Sequence, residues 1–503
     1  ARYRQSRRFS MRLTMLAAKT LIFNRARAAC RRRNARPGSK IGVNVLLLSL
    51  YDLGRQPFGL ASAAAWLGEA GARVRCLDLA VEEIDEKAVA KAPLIAIHVP
   101  MHTATRLACA LLPRLRALNP RVHLCLFGLY APLNDQRLRA LGATSVIGGE
   151  VETELVALYR RCAADRCESN HEPATIFLTK QRFRVPDRSA LPDLSHYAHV
   201  TTADGSLTAG HTEASRGCKH LCRHCPIPPV YGGRFRVVQA DVVLEDIRHQ
   251  VADGARHITF GDPDFFNGVG HALRIVTALD DEFPELSYDV TIKIEHLLKY
   301  AGQLPKLAET GCLFVTSAVE GVDDRILGFL DKGHSRADFV HAVALMREAE
   351  LTLAPTFVPF TPWTALEGYL KLLRDIVALD LVENVAPIQL AIRLLVPRGS
   401  GLISILRDQG RLGRFDEEAL CYRWRADDPT VDRLQDELMT DVETGEANGL
   451  SRNEIFHRIW DRAHGVAGVT ASPIVIRPAT AVPRMSEPWY CCAEPTSRQL
   501  AGL

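Results

Sequence analysis

The sequence predicts an α/β protein in which a doubly wound parallel sheet is followed by a partial barrel of six βα units. Three observations favour this fold class. Short apolar runs alternate with helical periodicity between residues 41 and 160, a second alternating series fills residues 211–395, and a tight cluster of cysteines opens that second series. Hydrophobic residues make up 47% of the 503 residues and charged residues 24%, so the chain has the composition of a globular protein with a large core.

The first series contains five predicted strands. Residues 42–50 form a continuous apolar run, the pattern of a strand that is buried on both faces. The other four strands are predicted at 72–78, 94–98, 122–127 and 145–147. This spacing predicts a Rossmann-like domain over residues 41–165, and the irregular, proline-containing stretch after it predicts a linker over 166–210.

The second series predicts a barrel over residues 211–405. One strand is expected just before the cysteine cluster, and five others are expected at 257–260, 288–294, 313–319, 353–358 and 387–395, with helices between them. In such barrels the chemistry lies at the carboxyl ends of the strands. The polar remainder, residues 406–503, predicts a small helical extension.

Charge and cysteine content narrow the function classes. The net charge of +4 is accounted for by residues 1–40, which are rich in arginine and contain no acid, so the rest of the chain gives no indication of nucleic-acid binding. This leader suits a targeting segment, a nucleic-acid tail or a translation start placed too far upstream, and we expect it to lie outside the fold.

No run of 18 apolar residues occurs, which predicts no transmembrane helix. The 13 cysteines, with one tight cluster among them, predict a metal site in a cytoplasmic protein.

The cysteine cluster reads SRGCKHLCRHCP and carries Cys218, Cys222 and Cys225 at the spacing C-x3-C-x2-C. Structural zinc sites take four ligands, commonly from two separated pairs. Three thiolates on one short loop instead suit three corners of a [4Fe–4S] cluster and leave the fourth iron without a protein ligand. An open iron is able to chelate the amino and carboxylate groups of S-adenosylmethionine (SAM), and an electron from the reduced cluster can then break a C–S bond.

At this loop the sequence resembles the radical SAM superfamily. The resemblance implies that the three cysteines bind the cluster and that His224, at a position where members often carry an aromatic residue, packs against the adenine of SAM. The segment HITFGDPDFFNG implies backbone contacts from Gly261 and Asp262 to the SAM amino group. The segment FVTSAVEGVDDRIL implies that Ser317 and Glu320 face the SAM ribose or carboxylate. Taken singly, an acidic residue at a strand end is more often a helix cap or a loop anion.

Three further polar residues of the predicted barrel allow simpler interpretations. Arg393 lies inside the sixth predicted strand, where it either pairs with the SAM carboxylate or forms a buried structural ion pair. Lys332 and His334, in the segment DKGH, are predicted to lie in a solvated turn.

The predicted first domain resembles the cobalamin-binding domain of B12-dependent radical SAM enzymes. The matching segments are GRQPFGLASAAAWL after the first strand and GGEVE, residues 148–152, after the last. The Asp-x-His-x-x-Gly motif, which supplies a histidine to cobalt, is absent, because the chain reads DLAVEE after the second strand. His98 and His102, at the end of the third strand, are placed to line a pocket but have no motif around them. Two hypotheses stay open, namely cobalamin bound without a histidine ligand and a domain that has lost this cofactor.

The segment WYCCAEP near the C-terminus carries Cys491 and Cys492. From about residue 42 onward the chain resembles a group of bacterial radical SAM proteins with a CUAEP or CCAEP tail, in which the position of Cys492 can hold selenocysteine. The shared segments are YDLGRQPFGLASAAAWL, SRGCKHLCRHCP, FGDPDFF, AIRLLVPRGS and CCAEP. The pair suits three roles: it holds a thiophilic atom, cycles between dithiol and disulfide, or ligates iron. The alternative is a frayed terminus with incidental thiols.

Together these features predict a radical SAM enzyme, a transferase, whose tail cysteines fold back over the barrel mouth. The sharpest substrate hypothesis is trivalent arsenic that accepts the 3-amino-3-carboxypropyl group of SAM, because the family resemblance extends to bacterial enzymes that make arsenic–carbon bonds in arsinothricin biosynthesis. The alternatives are cobalamin-dependent methylation, another modification of an organic natural product, and an Fe–S sensor or electron-transfer protein that binds SAM only as a ligand. The expected partners are a small-molecule substrate and an electron donor such as flavodoxin or ferredoxin, with no nucleic acid and no membrane.

Overall fold

A computed structural model describes residues 44–164, 175–476, 482–488 and 493–500. Within these residues no helix combines the length and the apolar composition that crossing a membrane requires. The predicted leader and both tail cysteines, Cys491 and Cys492, lie outside the described residues.

Six parallel strands form the first sheet, in the order β2-β1-β3-β4-β5-β6. Their bounds are β1 (Asn44–Ser49), β2 (Arg73–Asp78), β3 (Leu94–His98), β4 (His123–Phe127), β5 (Ser145–Gly149) and β6 (Thr175–Phe177). The central strands are apolar along their length because helices cover both faces of the sheet. The five predicted strands are present, and β6 extends the sheet into the stretch that was predicted as a linker.

The helices of the first sheet follow its strands in alternation, so the Rossmann-like part of the predicted fold class is confirmed. Their bounds are Phe58–Glu69, Glu86–Lys91, His102–Leu118, Asp135–Ala140 and Glu152–Ala163. The first of them begins directly after Pro57, whose ring fixes the backbone φ angle, observed at −70°. Buried side chains such as Leu46, Ile95, Leu112 and Leu124 form one core between the sheet and these helices.

The second sheet has the order β14-β13-β12-β11-β8-β7-β17. Its strands are β7 (His199–Thr202), β8 (Gly205–Thr212), β11 (His257–Phe260), β12 (Ser287–Thr291), β13 (Cys312–Glu320), β14 (Thr352–Phe357) and β17 (Arg484–Met485). A separate antiparallel pair is formed by β9 (Ser215–Gly217) and β10 (Phe235–Val237). Five of these strands pair in parallel, namely β8, β11, β12, β13 and β14. At one edge β7 pairs antiparallel with both β8 and β17. The cysteine loop lies between β9 and β10, just past the carboxyl end of β8.

Helices wrap the second sheet in the manner of a nearly closed barrel, as the sequence predicts. Their bounds are Pro228–Tyr231, Ala240–Ala252, Val269–Glu282, Ile294–Lys299, Leu304–Glu309, Asp324–Leu330, Arg336–Glu348 and Leu366–Ala378. The α/β fold class is therefore confirmed for both parts of the chain.

The sixth barrel strand, predicted at 387–395, is wrong in its extent. Pro387–Leu390 is a 3₁₀ turn, and the segment after it makes a single parallel bridge, from Arg393 to Phe360. Proline has no N–H to donate to a strand ladder. The carbonyls that a neighbouring strand would have bound are used by side chains instead, since Tyr369 Oη donates to the Leu390 carbonyl at 2.8 Å and Gln435 Nε2 donates to the Ala391 carbonyl at 2.8 Å.

The C-terminal extension is helical and shares the barrel's core. Its elements are Leu402–Asp408, the short hairpin β15 (Phe415–Asp416) and β16 (Cys421–Tyr422), Pro429–Ala447, Arg452–Val466 and Ser497–Leu500. Leu434, Leu438 and Phe456 from its two long helices are buried in the same cluster as the barrel residues. The extension thus stabilises the barrel on the side where the sixth strand is incomplete.

Candidate active site

A cavity of about 320 Å³ lies between the carboxyl ends of the two sheets. On the first sheet its wall is formed by the segments that follow β1, β3, β4 and β5, represented by Asp52, Met101, Tyr130 and Glu152. In a doubly wound sheet, ligands bind where the strand order reverses, which here is between β1 and β3. The opposite wall comes from the ends of β8, β11, β12, β13 and β14. Each sheet therefore places its ligand-binding edge on the same cavity.

The three cysteines of the predicted cluster motif all line this cavity. Cys218 and Cys222 are buried, and Cys225 is half-buried at a turn in which its N–H donates to the Cys222 carbonyl at 3.1 Å. Burial raises the pKa of the Cys218 thiol. No fourth cysteine among the described residues lines the cavity. The donor set therefore fits a [4Fe–4S] cluster with one iron open to the cavity better than a four-ligand zinc site.

Gly261 and Asp262 follow β11 directly, and of the two only Gly261 lines the cavity. Gly261 lines the cavity, and a Cβ atom there would lie 2.4 Å from His211 Nε2, so the position admits no side chain. The buried Asp262 carboxylate accepts hydrogen bonds from the Ala214 N–H at 2.8 Å and the Ser215 hydroxyl at 2.5 Å. Burial raises the pKa of Asp262 to about 7. The Asp262 side chain thus holds the start of the cysteine loop, and only its backbone is left for the predicted contact to SAM.

His224, Glu320 and Lys332 form a buried charged group on the cavity wall. His224 Nε2 lies 3.1 Å from Glu320 Oε1, and Lys332 Nζ donates to the same oxygen at 3.3 Å. Burial alone would raise the pKa of Glu320, but Lys332 and His224 outweigh it and hold the pKa at about 2. His224 Nδ1 has no hydrogen-bond partner among the described residues, so this nitrogen is available to a bound molecule.

The prediction that Lys332 and His334 lie in a solvated turn is wrong. The two residues are only 3% and 8% exposed, and His334 Nε2 lies 3.2 Å from the Val319 carbonyl. A lysine ammonium is buried here because the Glu320 carboxylate compensates its charge.

Ser317 and Arg393 are not brought to the cavity. On β13 the cavity-lining residues are Thr316, Ala318 and Glu320, and the buried Ser317 lies between them, where strand alternation directs its side chain to the other face. Arg393 instead pairs with Asp432 at 3.3 Å and lies over the Trp424 ring, with 4.1 Å to the centroid. Of its two predicted roles, the contacts correspond to the structural ion pair.

The described part of the C-terminal tail docks on the barrel beside Arg393. Ala493 is bridged to Leu394, and the Glu494 N–H donates to the Arg393 carbonyl at 3.2 Å. The Glu494 carboxylate lies 3.8 Å from Arg393 Nε and 3.1 Å from Arg423 Nη1. The chain is therefore fixed to the barrel at the residue that directly follows Cys492 in the sequence.

The first sheet contributes an imidazole to the cavity. His98 lines the cavity and packs on Gly59, where a Cβ atom would lie 2.2 Å from the ring, which explains the second glycine of GRQPFGLASAAAWL. Burial lowers the pKa of His98 to about 3, and its Nδ1 has no hydrogen-bond partner among the described residues. His102 is buried and does not line the cavity. A neutral imidazole at the switch point fits a cofactor bound on this side, although the motif that places a histidine on cobalt is absent.

Sequence reasoning missed a second network beside the cysteine loop. Asp264 Oδ2 lies 3.1 Å from His220 Nε2 and 2.7 Å from His296 Nδ1, and Lys293 Nζ lies 3.2 Å from His220 Nδ1. Burial opposes ionisation of Asp264, but the two histidines lower its pKa. The sequence signal was the position of His220 inside the cysteine motif, which places an imidazole next to the predicted cluster. A partner for it could have been sought among the acidic residues at the neighbouring strand ends, such as Asp264.

Comparison with known proteins agrees with this geometry. Residues 212–372 match the family model of the Radical SAM superfamily. Bacteriochlorophyllide d C-12(1)-methyltransferase of Chlorobaculum tepidum is 28% identical over 211 residues, which are 41% of this chain and 43% of that protein. An uncharacterized methyltransferase of Pyrococcus horikoshii is 24% identical over 190 residues, which are 38% of this chain and 40% of that protein. The chain thus matches less than half the length of these curated relatives.

Solved structures share the fold over most of the chain. The cobalamin-dependent SAM radical enzyme OxsB, solved with aqua-cobalamin, has a TM-score of 0.63 at 14% identity and covers 80% of this chain and 67% of that one. The radical SAM methyltransferase TsrM from Kitasatospora setae, solved with tryptophan and a SAM analog, has a TM-score of 0.57 at 18% identity, with 74% and 77% covered. Residues 212–372 are a radical SAM superfamily domain. Over the 74–80% of the chain that these two structures cover, the fold is that of cobalamin-dependent radical SAM enzymes. The radical SAM superfamily uses a [4Fe–4S] cluster and SAM.

Proposed function

We propose that the protein is a radical SAM transferase that methylates an organic small molecule with the help of cobalamin. The observation that carries this proposal is the single cavity shared by the three cluster cysteines and the switch point of the first sheet. The methyltransferase relatives and the similar structures that were solved with cobalamin bound support the same reaction class.

The residues of this chain divide the cavity between the cofactors. Cys218, Cys222 and Cys225 would hold the cluster, and the surface at Gly261 and His224 would take SAM. Loaded with these groups, the site supplies one-electron reduction of SAM and a carrier for methyl groups. The protein's own contribution would be to orient SAM, since Glu320 holds the His224 ring through Nε2 and leaves Nδ1 without a partner among the described residues.

A second candidate function rests on the tail. In it Cys491 and Cys492 hold trivalent arsenic at the barrel mouth, and the arsenic accepts the 3-amino-3-carboxypropyl group of SAM. The observation in favour is the anchorage of Ala493 and Glu494 beside the segment whose Ile392 lines the cavity. A vicinal thiol pair is a suitable receptor for a soft, thiophilic atom. The resemblance to the CUAEP/CCAEP-tail group adds the proposal that this pair is the substrate or redox site.

The partners follow from the chemistry. We propose that the cytoplasmic protein receives its electron from a flavodoxin or ferredoxin, because reduction of the cluster needs an external one-electron donor. Neither candidate function requires a nucleic acid.

Anaerobic product analysis tests the proposal. Reconstituted protein is incubated with methyl-labelled SAM, reductant and cobalamin, with and without arsenite and candidate organic acceptors. Methyl transfer yields S-adenosylhomocysteine and a labelled acceptor, and reductive cleavage of a second SAM yields methionine and 5′-deoxyadenosine. Carboxypropyl transfer instead yields methylthioadenosine, only when arsenite is present. We expect S-adenosylhomocysteine and retention of the cobalamin spectrum after gel filtration. Cobalamin that does not co-elute, together with arsenite-dependent methylthioadenosine, would replace the first function with the second.

A further inference from the structure

Arg216 joins the cysteine loop to the first sheet. It lies in β9, and its side chain is 11% exposed. Its Nη1 lies 2.6 Å from Glu152 Oε1 and 3.5 Å from Glu150 Oε2, both on the first sheet. Its Nε lies 2.7 Å from Glu213 Oε2, at the end of β8. One buried guanidinium therefore meets carboxylates from both sheets.

The first-sheet side of this contact is built rather than incidental. Glu150 and Glu152 belong to GGEVE, and they are 2% and 1% exposed. The Ser62 hydroxyl donates to Glu152 Oε1 at 2.6 Å and accepts from Arg216 Nη2 at 3.2 Å, and Gln181 Nε2 donates to Glu152 Oε2 at 2.7 Å. Every oxygen of Glu152 is thus engaged before any ligand binds.

One residue, Gly217, separates Arg216 from the cluster ligand Cys218 in the chain. Gly217 stands between Arg216 and Cys218 with φ of +72°, and a Cβ atom there would lie 2.5 Å from both the Arg234 carbonyl oxygen and Tyr231 Cδ1. Gly217 is also paired with Phe235 in the β9–β10 ladder, and Arg216 is paired with Arg236. We therefore expect a displacement of Arg216 to be passed along this strand to Cys218.

A surface pair provides the contrast. Arg184 Nε lies 2.5 Å from Glu69 Oε2, also linking the first sheet to a later segment, but the two side chains are 37% and 60% exposed. Exposed pairs contribute little, whereas loss of one partner from a buried pair leaves an uncompensated charge. The side-chain partner of Glu69 is Arg184, which does not belong to the cysteine loop.

We propose that Arg216 is a positioning residue for the cluster: its bonds to Glu150 and Glu152 make the first sheet a fixed support for Cys218. GGEVE thereby has a role in this chain that does not depend on cobalamin. The inference rests on the proposed function only in that the cysteine loop holds a [4Fe–4S] cluster.

The test is electron paramagnetic resonance of the reconstituted, reduced full chain, together with the dissociation constant of SAM. Glu152→Gln removes the carboxylate charge and alters no residue of the cysteine loop itself. Glu69→Gln is its matched control. Ser62 does not line the cavity, so Ser62→Ala loosens Glu152 without altering the cavity wall. We expect Glu152→Gln to shift the cluster spectrum and weaken SAM binding about tenfold with iron content unchanged. Ser62→Ala should give a smaller shift in the same direction, and Glu69→Gln none.

Each other outcome overturns the inference. A wild-type spectrum in both Glu152→Gln and Ser62→Ala shows that the support is not needed. A shift in Glu152→Gln alone assigns the effect to direct contact with a ligand in the cavity. If Glu152→Gln does not fold, Ser62→Ala decides by itself. A wild-type chain that forms no cluster contradicts the proposed function and this inference together, whereas an intact cluster that ignores both variants contradicts the inference only.

Discussion

Cys222→Ala is expected to abolish both the cluster and SAM consumption. The thiol lines the cavity between two other cysteines of the same loop, and three thiolates are the minimum protein ligation of a cluster with one open iron. We expect iron to fall from about four atoms per chain to less than about one after anaerobic reconstitution. Iron analysis and chromatography of residual SAM provide the measurement.

Cys109→Ala is the matched control for this experiment. Cys109 is half-buried in the helix His102–Leu118 and does not line the cavity, so its loss should leave iron and SAM consumption at the wild-type level. Equal iron in Cys222→Ala and wild type would show that the loop does not hold the cluster.

Glu320→Gln is expected to destabilise the protein strongly and to weaken SAM binding. It leaves the buried Lys332 without a counter-charge, at a cost of about 3–5 kcal/mol of unfolding free energy. It also weakens the hydrogen bond that orients the His224 ring, because an amide oxygen is a poorer acceptor than a carboxylate. Denaturant unfolding and SAM titration measure the two effects.

Two comparisons make the Glu320 prediction specific. Glu309→Gln breaks an exposed pair with Lys306, at 3.6 Å, and should cost less than about 1 kcal/mol. Glu320→Gln combined with Lys332→Met removes both charges and should recover much of the lost stability. A loss as small as that of Glu309→Gln would contradict the buried network.

The Glu320 carboxylate also makes the stability of the folded chain depend on pH in the acid range. The pKa of Glu320 is about 2 in the folded chain against 4.5 as its ordinary value. A lowered folded pKa stabilises the protein above the ordinary value, and this stability is lost as pH falls from 4.5 towards 2. The Glu320→Gln chain should lack this part of the acid loss.

Most strands of both sheets and the loop that carries the three cysteines could be predicted from the sequence. Apolar runs predicted the strands of both sheets because buried parallel strands exclude polar residues from both faces. The spacing of Cys218, Cys222 and Cys225 predicted a shared site because the three residues lie on one short loop. Both predictions depend on local sequence.

What the sequence could not supply depends on contacts between distant segments. The solvated turn predicted at Lys332 and His334 is buried, because its counter-charge comes from Glu320 on another element. Arg393 is directed to Asp432 and Glu494, which lie 39 and more residues away in the chain. Arg216 was not singled out, because its partners lie on the other sheet.

Electron–nuclear double resonance on the reduced wild-type cluster tests whether SAM binds the open iron, and it needs no knowledge of the substrate. SAM carrying a ¹⁵N-labelled amino group is added to the reduced, reconstituted chain. We expect a magnetic coupling between the labelled nitrogen and the cluster, because three thiolates that line the cavity would leave one iron free to bind SAM there. An intact cluster with no such coupling at saturating SAM would contradict it.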